Sequence, residues 1–173
     1  TAVSLGVSAL CVGLLGAVGR QGPAFAVAGS APMTAPALAE AAREVVPGYL
    51  ATIYEAFGET EEGAIYDRLA RAAGDAALVT LYLERMGAVT GPDYEPDQQV
   101  FEMEILDLSA VSEGGAVAME ARWHVMGVVG HEGHSHVRDN TYAARMTLSP
   151  VDGAWKITRF DLTDADRVTG AGS

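Results

Sequence analysis

An α+β fold is predicted by two rhythms along the chain and by the turns that separate them. From Pro47 to Gly87 apolar residues recur every three or four positions, the spacing of helices with one buried side. From Gln98 to Leu162 they recur every second position, the spacing of strands with one buried face. The breaks fall at "TGPDYEPD", "SEGG" and "PVDG", all rich in turn-forming residues. The expected architecture is an N-terminal transmembrane helix, then about three helices packed on one face of a curved four-stranded antiparallel sheet.

The chain of 173 residues has room for one domain and an appendage, and at 49% hydrophobic it can bury a core. Its 23 acidic residues against 11 basic ones leave a net charge of -12. A surface of that sign repels phosphate backbones, so nucleic acid is excluded as the expected partner. The single cysteine, Cys11, allows neither an intrachain disulfide nor a cysteine-based zinc site.

The first stretch, "TAVSLGVSALCVGLLGAVG", runs 19 residues without a charge and ends at Arg20. At about 1.5 Å per residue a helix of that length reaches about 28 Å, close to a hydrocarbon core. Its Gly, Ala and Ser suit close packing against a neighbouring helix. A cleaved signal, with "AFA" before Val27, is the competing reading, but no basic region precedes it. Thr1 leaves two origins open: a removed initiator methionine, or the last span of a larger protein. The expected division is an anchor over 1–20, a Pro/Ala/Gly-rich tether over 21–46, a domain over 47–165 and a frayed tail over 166–173.

Within the domain, Tyr49, Ile53 and Phe57 make a first helical stripe that Gly58 stops. Ile65, Leu69 and Ala72 make a second over 60–74, with acids in its first turn. Asp75 can cap a third, which carries Leu78, Leu81, Tyr82 and Met86. Four strands follow. "QQVFEMEIL" turns at "SEGG" into "AVAMEARWHVMGVVG", and "VRDNTYAARMTL" turns at "PVDG" into "AWKITRFDL".

The closing "DGAWKITRFDL", after long alternating strands and an opening set of helices, resembles the nuclear-transport-factor-like superfamily, with its ketosteroid isomerases and polyketide cyclases. The likeness spans about residues 47–163. The helices and the "H-x-H-x-R-x-N-x-Y" strand also resemble an extracytoplasmic domain of bacterial membrane proteins of unknown function. Both resemblances imply a cone-shaped sheet around a pocket, and neither implies a reaction, because the fold hosts enzymes, binders and assembly modules. With the anchor, they imply a single-pass protein of the bacterial inner membrane whose domain lies in the periplasm or outside the cell.

A hairpin turning at Glu132-Gly133 sets His131 opposite His134, Val129 opposite His136 and Trp123 opposite Tyr142. Alternation then places His131, His134, His136, Arg138, Asn140 and Tyr142 on the face of Trp123, and His124 on the other, as a structural residue. Turning the last hairpin at "PVDG" adds Arg159 and Asp161 to that face, near Ala144 and Tyr142. The first hairpin sets Ile105 against Trp123 and Met103 against Val125. The predicted ligand pocket is therefore Trp123, Arg138, Asn140, Tyr142, Arg159 and Asp161. A one-residue slip would reverse this assignment.

Three functions compete for that face. The leading one is an accessory or assembly subunit of a membrane protein complex, meeting an integral membrane partner through the span and the open sheet face, with no cofactor required. The second is a metal binder or sensor, in which His131, His134 and His136 converge on zinc, copper or nickel. The third is an isomerase- or cyclase-like enzyme. It needs a carboxylate with a raised pKa, yet Arg138 and Arg159 beside Asp161 would lower it, so no catalytic residue is assigned. The acidic "GPDYEPD" and "DLTDADRV" lack calcium-loop spacing and read as solvated loops.

Overall fold

The structure, a computed structural model, describes residues 22–90, 97–131 and 134–170; the side chains of 97–99, 129–131, 134–136 and 167–170 also lie outside the description. It opens with two short strands, β1 (Phe25–Val27) and β2 (Ser30–Met33), which pair antiparallel around Gly29. Four helices follow: α1 (Ala35–Glu40), α2 (Ala42–Phe57), α3 (Glu62–Ala72) and α4 (Asp75–Val89). Four long strands finish the fold: β3 (Asp97–Glu113), β4 (Ala116–His131), β5 (His134–Val151) and β6 (Ala154–Gly170).

The helices form where the apolar stripes require them. Thr34 accepts a hydrogen bond from the Ala37 amide and starts α1, whose first turn tolerates Pro36. Tyr49 and Ile53 are buried on α2, which ends at Gly58 as its sequence predicts but begins five residues before Pro47. On α3 the predicted stripe Ile65, Leu69 and Ala72 is the buried one. Gly74 is the N-cap of α4, and Asp75, the first helical residue, takes φ 48°, a left-handed conformation that Asp tolerates.

Two-residue turns set the hairpins. Glu113 pairs with Ala116 across Gly114-Gly115 (φ 56° and 84°), and Val151 pairs with Ala154 across Asp152-Gly153 (φ 50° and 80°). Two successive positive φ values match the right-handed twist of the flanking strands. The sheet order is β2-β1-β6-β5-β4-β3. β1 runs parallel to β6, joined where the Ala26 amide donates to the Gly153 carbonyl at 3.0 Å.

Four bulges interrupt the ladders of the long strands: Phe101 and Leu106 are the extra residues on β3, Thr158 and Thr163 on β6. Each adds local twist, and together they help curl the sheet. The core lies between the helices and the inner sheet face. Leu38, Leu50, Ile65, Leu69 and Leu81 meet Val117, Met146, Leu148, Trp155 and Ile157 there.

Three expectations are corrected. Among the described residues the sheet is six-stranded and mixed, not four-stranded and antiparallel, and it carries four helices rather than three. The stretch read as a tether, 21–46, contributes β1, β2, α1 and the start of α2, with Val27, Leu38 and Ala42 buried. "FAV" and "SAPM" are too short to show a period of two, which is why the sequence reads as a leash. The single-pass anchor and the location built on it find no support: among the described residues no helix is long and apolar enough to cross a membrane, and residues 1–20 lie outside the description.

Candidate binding face

The predicted register between β4 and β5 is the observed one. His131 pairs with His134, Val129 with His136, Gly127 with Arg138, Val125 with Asn140 and Trp123 with Tyr142. Trp123 therefore lies on the helix-facing side with Val125, Ala121 and Met119, all buried. Its ring stacks on Tyr142 with centroids 5.7 Å apart and an interplanar angle of 30°. Its indole Nε1–H donates to the hydroxyl of Tyr54, on α2, at 3.0 Å. This bond satisfies the one polar atom of a buried tryptophan.

Tyr54 is the residue that the sequence reading missed. It stands one position beyond Ile53, off the main apolar stripe, and 69 residues separate it from Trp123. Burial pushes its pKa far above the ordinary tyrosine value. The bond from Trp123 opposes that rise, and the nearby Tyr142 and Glu84 reinforce it. The phenol is thus held neutral. Asn140 is buried beside this group and Arg138 is half-buried one step further along β5.

Arg159 and Asp161 do not join the face. The extra residue Thr158 shifts the register, so Arg159 pairs with Thr147 and Asp161 with Arg145, and both are exposed on the outer side. Thr158 stabilises the bulge by donating its hydroxyl to the Thr147 carbonyl at 3.3 Å. The apolar residues that take the inner positions instead are Phe160, opposite Met146, and Leu162, opposite Ala144. Leu162 is 42% exposed although Ala144 is buried. On the far side Val100, opposite Gly127, is 39% exposed. The inner face thus begins as core, passes through the Tyr54–Trp123–Tyr142 group and continues as open apolar sheet.

His124 sits on the outer face, as its position in the strand predicts, with Nε2 at 2.5 Å from Asp139. The same face carries a cross-strand ion pair between Arg145 and Glu120 at 3.0 Å. A depression of about 190 Å³ lies there among Asp107, Ser109, Arg122 and Thr163. Among the described residues no group of three or more metal-ligating side chains is assembled, and those of His131, His134 and His136 lie outside the description.

A second constellation ties the N-terminal hairpin to the core. The Trp155 indole donates to the Met33 carbonyl at 2.8 Å and meets the Phe25 ring edge-on at 5.7 Å. The Tyr49 hydroxyl donates to the Trp155 carbonyl at 2.7 Å, and burial pushes its pKa up to about 12. The "DGAWKI" ending is thus the clasp of the fold.

No family matches the chain by sequence, and no curated protein matches it. Among solved structures it is similar to the intermembrane space region of the chloroplast protein ARC6, with a TM-score of 0.52 and 16% identity, over 72% of this chain and 95% of that one. At that identity the likeness is one of fold.

Proposed function

We propose that the chain is an assembly domain, an accessory subunit that binds a protein partner on the part of its sheet left open by the helices. The observation that carries this reading is the exposure of Leu162 and Val100 on a face whose neighbouring positions are core. Apolar side chains displayed beside a stacked aromatic pair provide the dry centre of an interface. The carboxylate an isomerase-like reaction would need here, Asp161, is instead exposed on the outer side. The structural neighbour is the intermembrane space region of a chloroplast protein. A membrane protein complex is accordingly the host to seek first.

Purification of the tagged chain under mild conditions is expected to bring down a stoichiometric partner. Leu162→Asp, at a site already 42% exposed, is expected to abolish that recovery while leaving the circular dichroism spectrum unchanged. A lone monodisperse monomer, or recovery undiminished by the substitution, overturns the reading.

A further inference from the structure

The two edges of the sheet are finished differently. At the β6 edge, β1 pairs with the start of the strand and the Gly74 amide donates to the Ile157 carbonyl at 2.9 Å. At the other edge, among the described residues, β3 pairs with β4 alone, over 17 residues. Between Asp107 and Glu113 its ladder to β4 is regular, with no bulge, so the outward backbone groups of that stretch form an ordered row that no described strand pairs, in which the Leu108 amide donates to the Asp107 side chain at 2.9 Å. Edges of this kind are commonly blunted by lysine or proline, and β3 contains neither. It displays apolar side chains instead: Phe101 is 63% exposed and Val111 57%.

Charge selects the occupant. From Val100 to Glu113 the strand carries Glu102, Glu104, Asp107 and Glu113 and no arginine or lysine. A second copy paired antiparallel about Ala110 would set Asp107 against Glu113 twice. Like charges directly opposite destabilise a strand pair, and each copy already bears a net charge of -12. A strand with basic residues opposite Asp107 and Glu113 and an apolar residue opposite Val111 meets the same edge with attraction along its length.

We propose that the edge of β3 from Asp107 to Glu113 is a strand-addition site that takes an extended, lysine- or arginine-bearing segment of a partner protein as a seventh strand of the sheet. Main-chain hydrogen bonds supply the affinity, and Asp107, Val111 and Glu113 supply the selection. The proposal deepens the assembly reading and rests on it, but it concerns an edge, not the face that carries Leu162.

The test uses an eight-residue peptide of alternating lysine and valine, titrated into the full chain at low salt. Amide exchange over 107–113 is expected to slow on binding. Val111→Lys is expected to weaken binding at least tenfold. Val79→Lys, which adds the same charge at an exposed site on α4, is expected to change it less than threefold. Peptides N-methylated at alternate residues separate pairing from mere charge: one phase should lose binding and the other keep it. Equal binding of both phases, unchanged exchange along β3, equal effects of the two lysine substitutions, or a dimer built on β3 would each overturn the proposal. If a natural partner is lost on Leu162→Asp and kept on Val111→Lys, the edge proposal falls and the assembly reading stands.

Discussion

Tyr49 and Tyr54 each anchor a tryptophan, one through the Trp155 carbonyl and one through the Trp123 indole. Both phenols are held neutral by burial, with Tyr49 pushed up to about 12. The sign of the linkage follows. The unfolded chain releases these protons near the ordinary tyrosine value of 10, while the folded chain retains them, so the folded state binds more protons above that pH. The contribution of Tyr49 is complete below pH 10 and is lost as pH rises through 12, and that of Tyr54, whose pKa is raised further, persists beyond it. Urea midpoints should therefore fall between pH 10 and 12, and Tyr49→Phe should flatten that fall while costing about 1 kcal/mol at neutral pH. A slope unchanged by the substitution would place the alkaline sensitivity elsewhere. The partners of these hydroxyls were not legible in the sequence, because each contact joins elements whose separation along the chain carries no periodic signal.

The long strands were legible because their turns are chemically explicit. Gly114-Gly115 and Asp152-Gly153 fix two registers, and the pairing of Trp123 with Tyr142 is in register with that of His131 with His134. The bulges escaped a reading that assumed unbroken alternation, yet the sequence marks three of them. On β6 the apolar positions change parity, from Trp155 and Ile157 to Phe160 and Leu162, across the extra residue Thr158. On β3 the adjacent apolar pairs Val100-Phe101 and Ile105-Leu106 mark two more. Arg43 reaches from α2 to the second of these and donates to the Ile105 carbonyl at 2.9 Å. Glycines separate turn from helix at this scale. Gly115→Ala, at φ 84°, should lose about 1 kcal/mol in urea unfolding, because the left-handed conformation disfavours a Cβ. Gly48→Ala, in mid-helix with open space around the added atom, should gain about 0.5–1 kcal/mol. Equal effects at the two positions would contradict this assignment of roles.

The fold as a whole depends on its ends. β1 and β2 come from a segment whose composition reads as a leash, and they are held by Trp155, near the start of the last strand. Trp155→Ala removes a buried ring, opens a cavity and deprives the Met33 carbonyl of its donor. A loss of about 3–5 kcal/mol is expected from the cavity, measured by chemical unfolding. The same change should raise amide exchange over 25–33 more than over α3, since only the hairpin depends on that indole. Equal rises in both regions would mean that the clasp is global. The N-terminal strands were illegible for a physical reason: three- and four-residue strands are stabilised by the edge they join and carry almost no pattern of their own.

The parallel seam between Ala26 and Ala154 joins pieces made far apart in time. On a ribosome the β1–β2 hairpin and all four helices emerge before the strand that roofs them, and Ile157 and Trp155 are the last large parts of the nucleus to leave the tunnel. Until then Leu38, Leu50 and Leu69 face water with no sheet behind them. Closure by distant contacts is slow, and a half-made chain of this design is sticky. A nascent copy should therefore be a client for chaperones up to the moment its final ribbon is synthesised.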